Sequence, residues 1–155
     1  MYHLYDTETD DGPITMIAVL PPELALGRGL PSPAVVGTVP AGTTDLTSGA
    51  FTPNEEFSAF LGYVISKYGD ADPILRDQAR QQGTGWVYMV DLRVDESDGE
   101  IQTEDVLGAF RAADGEVVPG SYRANPKHVL LTGRGLPVID TWVYEKLVEE
   151  LLALD

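Results

Sequence analysis

Seven carboxylates lie close together in the second half of the chain, and their spacing could support binding chemistry. They are Asp91, Asp95, Glu96, Asp98, Glu100, Glu104 and Asp105. Carboxylates at this density can hold a divalent metal ion, attract a basic partner or form a solvated loop. Residues 84–116 contain nine acidic and two basic side chains, whereas residues 117–155 contain five and four. Because such polarised acidity steers basic partners to one face, we predict that these seven residues bind a protein partner.

The whole chain is strongly acidic. Its 155 residues carry a formal net charge of −15, and the pI is about 4.2. A surface of this charge repels nucleic-acid phosphates and anionic lipid headgroups and attracts basic proteins. We therefore expect a basic protein partner, such as a toxin or an enzyme, and we expect neither direct nucleic-acid binding nor membrane binding.

Nucleophilic and metal chemistry have little support in the sequence. The chain has no cysteine and only two histidines, His3 and His128. No serine lies in a G-x-S-x-G turn, which is the signature of one large class of hydrolases. We predict no catalytic residue, no metal site and no cofactor, and we favour a non-enzymatic protein over an enzyme.

The basic residues are concentrated in one segment. Arg123, Lys127, His128 and Arg134 lie there together with Tyr122 and Asn125 in between. Their side chains can bind a phosphate or carboxylate group of a ligand, because arginine offers a planar pair of donors. The alternative, which we favour, is that they pair with the acidic loops of the protein itself.

Residues 85–126 contain four short sequence motifs in a characteristic order. They are Gly85-Trp86-Val87-Tyr88-Met89-Val90, Ile101-Gln102-Thr103-Glu104-Asp105-Val106-Leu107-Gly108-Ala109, Asp114-Gly115 and Asn125-Pro126. This series resembles the C-terminal part of bacterial ADP-ribosyltransferase toxin domains. The resemblance implies binding of NAD and transfer of ADP-ribose to a protein or nucleic acid. It would place His3 at the first-strand histidine and Glu100 or Glu104 near the catalytic glutamate.

The size and composition of the chain are similar to those of a second group of proteins. Small, acidic, cysteine-free single domains without a catalytic motif resemble the immunity proteins that bacteria keep in the cytoplasm against basic interbacterial toxins. This similarity rests on size and composition and assigns no site residues. It implies a protein that neutralises a basic toxin or enzyme by covering it.

Periodicity and turn residues predict the elements that position these side chains. The first third reads as short strands over residues 2–5, 14–20 and 34–39, with an acidic turn over residues 6–13. Thr52-Pro53-Asn54-Glu55 predicts a capping box with Thr52 as the N-cap of a helix that ends at Gly69. Asp72-Pro73 predicts a second helix, which ends at Gly83.

In the second half, alternation with period two predicts a strand that starts at Gly85. Apolar residues on both of its faces favour a central strand covered on both sides. Asp114-Gly115 predicts a hairpin with a type I′ turn, because both positions need positive φ. Residues 128–132 read as a last strand, and Asp140 or Thr141 as the cap of a C-terminal helix.

These elements predict the fold class. Hydrophobic residues make up 43% of the chain and charged residues 23%, as in ordinary globular proteins. We find no repeat or linker and predict a single α+β domain over residues 1–155, in which a mixed or antiparallel sheet packs against two or three helices. The absence of cysteine, of a long apolar run and of a basic N-terminal segment predicts a cytoplasmic location.

Overall fold

The first half of the chain forms an antiparallel sheet. The structure, a computed structural model, describes residues 1–94 and 99–154. The strands of this first sheet are β1 (His3–Thr9), β2 (Gly12–Ala18), β3 (Val35–Pro40) and β4 (Thr52–Pro53). They lie side by side in chain order, and every pair is antiparallel. The predicted acidic turn over residues 6–13 is wrong in extent, because Asp10 and Asp11 alone connect β1 and β2.

The second half of the chain forms a second antiparallel sheet around one strand. Its members are β5 (Gly85–Val90), β6 (Val106–Ala113), β7 (Glu116–Val117) and β8 (Arg123–Ala124). Strand β6 pairs with each of the other three. The predicted hairpin turn is confirmed, because Asp114 has φ 53° and Gly115 has φ 80°. The predicted α+β class is confirmed, with two sheets where the sequence indicated one.

Helices cover the sheets. They are α1 (Pro22–Ala25), α2 (Glu55–Tyr68), α3 (Pro73–Gln82) and α4 (Thr141–Leu152). The predicted caps Asp72 and Asp140 are confirmed, because each side chain accepts a hydrogen bond from the first turn of its helix. The predicted cap Thr52 is wrong. Asn54 caps α2 instead, and its amide also donates to the carbonyls of Ser32 and Val35, which ties the helix start to β3.

One hydrophobic core lies between the sheets and the helices. Helix α2 contributes Phe57, Leu61, Val64 and Ile65; α4 contributes Val143, Leu147 and Leu151; and the second sheet contributes Val87, Met89, Phe110 and Ala112. These side chains recur at helical spacing on the helices and at every second position on β5. Gly69, just after α2, packs against the Phe110 ring, where a methyl group would lie 2.7 Å from the ring.

Strand β5 is an edge strand, so the prediction of a central, doubly covered strand is wrong. It pairs only with β6 among the described residues, and its outward side chains Trp86 and Tyr88 are exposed. Large aromatic side chains occur on exposed sheet faces as well as in cores. The apolar character of Trp86 and Tyr88 therefore does not indicate that a second layer covers this face of the strand.

Residues 128–132 do not form the strand that the sequence predicts. In this segment the structure has only an isolated bridge between Thr132 and Gly135. The backbone carbonyls of the segment are instead bound by a buried arginine, as described below. No helix within the described ranges is long and apolar enough to cross a membrane.

Candidate functional site

The seven predicted partner-binding carboxylates fall into three groups in the structure. Asp91 and Asp105 are buried and therefore cannot contact a partner at the surface. Glu100 is exposed, and the Glu104 side chain is 43% exposed. The remaining three, Asp95, Glu96 and Asp98, lie outside the described residues. The prediction of one exposed face has to be corrected for the first group, because those two carboxylates face inward.

Arg93 is the centre of a buried polar network that the sequence did not indicate. Its Nε donates to Asp105 Oδ1 at 2.9 Å and lies 3.3 Å from Asp91 Oδ2. The four remaining N–H groups have acceptors among the backbone carbonyls of Glu104, Val129, Leu130 and Gly135. All five donors of this guanidinium are thus satisfied, which is the condition for burying one without a large penalty.

Asp91 is the second member of the network. Its Oδ1 accepts from the backbone N–H groups of Arg93 and Val138, and its Oδ2 lies 3.0 Å from His128 Nε2. Together with Arg93 Nε, 3.3 Å from Oδ2, these make four contacts on two oxygens, which explains how a fully buried carboxylate is accommodated. Asp91 thereby joins the end of β5 to two distant segments of the chain.

Asp105 extends the network to a second arginine. Its Oδ2 accepts from Arg134 Nη1 at 2.9 Å, and Glu104 lies 3.7 Å from the same nitrogen. The prediction that basic residues pair with the acidic loops of the protein itself is confirmed for His128 and Arg134. The other two residues of that basic segment, Arg123 and Lys127, are exposed.

This network determines the path of the irregular segment between β8 and α4. The segment has no regular backbone pairing, so its buried carbonyls need other donors. Arg93 provides donors to three of them, and Asp91 accepts the N–H of Val138 at the other end. The two buried carboxylates are matched by two arginines, and the network therefore contributes little to the net charge of the protein.

A third buried carboxylate lies at the N-terminus of α3. Asp72 is 1% exposed; its Oδ1 accepts from the Ile74 N–H, and its Oδ2 has no N–H or hydroxyl donor among the described residues. Asp140, the cap of α4, lies beside it. Burial, together with the hydrogen bond and charge of Asp140, raises the pKa of Asp72 to about 7. Asp72 therefore keeps its proton up to nearly neutral pH.

Exposed apolar side chains surround this carboxylate pair. Asp72 and Asp140 line a cavity of about 60 Å³ together with Gln78, Tyr88 and Leu92. Tyr88 is 57% exposed, and Ile74 and Leu92 are exposed to a similar degree. Apolar groups around a desolvated polar centre are the arrangement found at the energetically important parts of protein interfaces.

A cavity of about 510 Å³ lies between α2 and the second sheet, and its volume is within the range of small-molecule sites. Glu55 and His128 are its titratable groups besides Tyr122, and Leu107, Asn125 and Pro126 form part of its wall. His128 has one ring nitrogen on Asp91, which fixes the orientation of the ring at the wall.

The residues assigned by the transferase resemblance lie in different parts of the fold. His3 is the first residue of β1, whereas Glu104 lies in the turn before β6. None of His3, Glu100 and Glu104 lines the 510 Å³ cavity.

The β1–β2 hairpin of the first sheet carries a group of exposed acidic side chains. Asp6, Glu8, Asp10 and Asp11 are all exposed, and no lysine or arginine of the described residues lies within ion-pair distance of them. Residues 1–27 contain no lysine or arginine at all. This negative charge is therefore not compensated within the described protein.

Sequence reasoning missed the role of Arg93 and the meeting of Asp72 with Asp140. The Asp-Pro pair marked a helix start, which is a local signal, but the packing of two helix caps against each other depends on the tertiary fold. No family model matches the chain, and neither a curated protein nor a solved structure does.

Proposed function

We propose that the protein is a non-catalytic acidic binding domain that docks on a basic protein. In this role it would act as a cytoplasmic immunity protein or inhibitor that covers a basic toxin or enzyme. The observation that supports the proposal is the distribution of charge. Asp91 and Asp105 are matched in the interior by Arg93 and Arg134, whereas the excess of carboxylates that gives the net charge of −15 lies elsewhere.

Several of the surface cations are already paired. Lys67 lies 2.7 Å from Glu150, and Arg80 and Lys146 lie 3.5 Å from carboxylates of their own helices. The remaining exposed carboxylates are available to attract a partner. They include Glu100 and the carboxylates of the β1–β2 hairpin. A field of one sign speeds the encounter with an oppositely charged protein.

The docking face is proposed to include Asp95, Glu96, Asp98, Glu100 and Glu104. This assignment comes from the charge distribution along the sequence, from which the buried Asp91 and Asp105 are now removed. Glu100 and Glu104 are accessible in the structure, as such a face requires.

The test compares two triple variants with the same change in net charge. The partner is captured from a lysate of the source organism, identified and purified, and its association rate is measured by surface plasmon resonance. D95N/E96Q/D98N neutralises the proposed face, and D6N/E8Q/D10N neutralises the β1–β2 hairpin. We expect the first variant to slow association at least about tenfold and the second to slow it clearly less. Equal slowing would show that only net charge matters, and a larger effect of the hairpin variant would place the docking face there.

An ADP-ribosyltransferase-like NAD-binding protein, active or inactive, is the second candidate. The observation that favours it is the 510 Å³ cavity, since Leu107, Asn125 and Pro126 in its wall belong to the resembling segment. NAD should then raise the melting temperature. An unchanged melting temperature at millimolar NAD would remove this candidate.

A further inference from the structure

We propose that the cavity between the caps of α3 and α4 receives the ammonium group of a lysine side chain from the basic partner. The inference deepens the proposed function and rests on it. It starts from Asp72, a buried carboxylate with an oxygen that no N–H or hydroxyl group of the described residues reaches. Once Asp72 is ionised, a buried acceptor without a donor costs free energy, so a ligand that donates hydrogen bonds there stabilises the ionised form.

The charge of the cavity fits a single positive group. The two carboxylates, when ionised, contribute two negative charges. Each also caps a helix of ten or more residues, and a helix N-terminus acts as roughly half a positive charge. The sum is close to one negative charge, which one ammonium group neutralises.

The size and lining of the cavity favour an organic cation over a metal ion. About 60 Å³ is the space of about two water molecules, which suits an ammonium group with its last methylene. The described residues contain no group of three or more acidic or histidine side chains that could hold a metal, and divalent ions prefer more oxygen ligands than this pair offers. Leu75, Met89 and Val143 form apolar walls for the alkyl stem.

The exposed surroundings fit a protein partner. Ile74 from α3, Tyr88 from β5 and Leu92 lie at or near the cavity, and each is half exposed or more. Such side chains can pack against the partner around the lysine and exclude water, which strengthens a charged contact at the centre. Leu92 also lies three residues before Asp95, so the cavity adjoins the proposed acidic face in the sequence.

Entry of the cation is coupled to loss of a proton. The titratable groups that line the cavity are Asp72 at the start of α3, Asp140 at the start of α4 and the phenol of Tyr88 from β5. Without a ligand Asp72 holds a proton below about pH 7. When the ammonium group binds, Asp72 ionises, its proton leaves to solvent, and the amine keeps its own protons. Binding should therefore tighten as the pH rises towards neutrality.

The test measures this coupling with n-butylammonium, which reproduces the lysine side chain. The carboxyl ¹³C signals of Asp72 and Asp140 are followed by NMR through a pH titration, with n-butylammonium chloride or with sodium chloride at the same ionic strength. We expect n-butylammonium to lower the titration midpoint of Asp72 by about one pH unit or more, which is a tenfold weaker proton affinity. Equal midpoints in the two salts would overturn the proposal and leave a cavity filled by water.

Two variants and a second probe make the result specific. Asp140→Asn keeps the helix cap, since asparagine caps as well as aspartate does, but it removes the second charge and should abolish the effect of n-butylammonium. Asp45→Asn, at the exposed cap of the turn Leu46–Ser48, should leave the effect of n-butylammonium on Asp72 unchanged. A larger shift with methylguanidinium would overturn the assignment to lysine in favour of arginine.

The outcome is independent of the docking experiment. The NMR titration uses the free protein and a small amine, so it can fail while D95N/E96Q/D98N still slows association. Conversely, n-butylammonium can lower the titration midpoint of Asp72 even if D95N/E96Q/D98N leaves the association rate unchanged.

Discussion

Replacement of Arg93 by glutamine should destabilise the protein strongly. The change removes the cation between Asp91 and Asp105 and the donors to four backbone carbonyls. Removal of one partner of a buried ion pair costs about 3–5 kcal/mol, because the other charge stays buried. His128 and Arg134 still contact the two aspartates, so we expect about 4 kcal/mol. For a chain of this length that corresponds to a fall in melting temperature of about 8–16 °C.

Urea unfolding followed by circular dichroism measures this loss directly. Arg80→Gln is the matched control, because Arg80 pairs with Asp77 at 3.5 Å on the surface and 72% of its side chain is exposed. Exposed pairs of this kind contribute at most about 1 kcal/mol. If Arg93→Gln lost no more free energy of unfolding than the control, Arg93 would not hold the irregular segment in place.

Three further changes test other parts of the structure. Because the pKa of Asp72 is raised from 3.8 to about 7 on folding, its carboxyl lowers stability progressively as the pH rises between those values. Asp72→Asn should therefore gain stability relative to the wild type between about pH 4 and pH 8, and equal pH profiles would contradict the shift. Gly37→Ala should cost about 1–3 kcal/mol in urea unfolding, because the new methyl group would lie 2.6 Å from the Thr52 carbonyl oxygen; a neutral effect would show that β3 and β4 can separate there. Asn54→Ala removes the cap of α2 and two hydrogen bonds to carbonyls, with an expected cost of about 2 kcal/mol in thermal unfolding, and a cost below about 0.5 kcal/mol would contradict that role.

Features that depend on neighbouring residues could be predicted from the sequence. Asp72 and Asp140 were recognised as helix caps because a cap bonds to N–H groups two or three residues away. The Asp114-Gly115 turn was recognised because its positive φ angles restrict the residues that fit. The α+β class follows from such local signals.

Features that depend on distant contacts could not be predicted in this way. Arg93 binds the carbonyls of Val129, Leu130 and Gly135, which lie 36 to 42 residues away. A run of acidic residues therefore looked like one exposed face, although Asp91 and Asp105 bind this arginine in the interior. The same limit applies to the edge position of β5, because its hydrophobic pattern does not reveal how many strands lie beside it.

Other errors arose where two local structures compete for the same residues. Thr52 has the right spacing for a capping box, but it pairs with Thr38 in the first sheet, and Asn54 takes the cap position. Residues 6–9 are polar and acidic, which is typical of turns, yet they continue β1 because an exposed edge hairpin tolerates charges.

The salt dependence of association tests the central claim most directly. The association rate constant of the wild-type protein with its purified partner is measured between about 20 and 300 mM sodium chloride, a range over which the Debye length falls severalfold. Docking of an acidic face on a basic protein predicts a fall of the rate constant by about tenfold or more with little change in fold or stability. A rate constant that stays the same across this range would contradict the account.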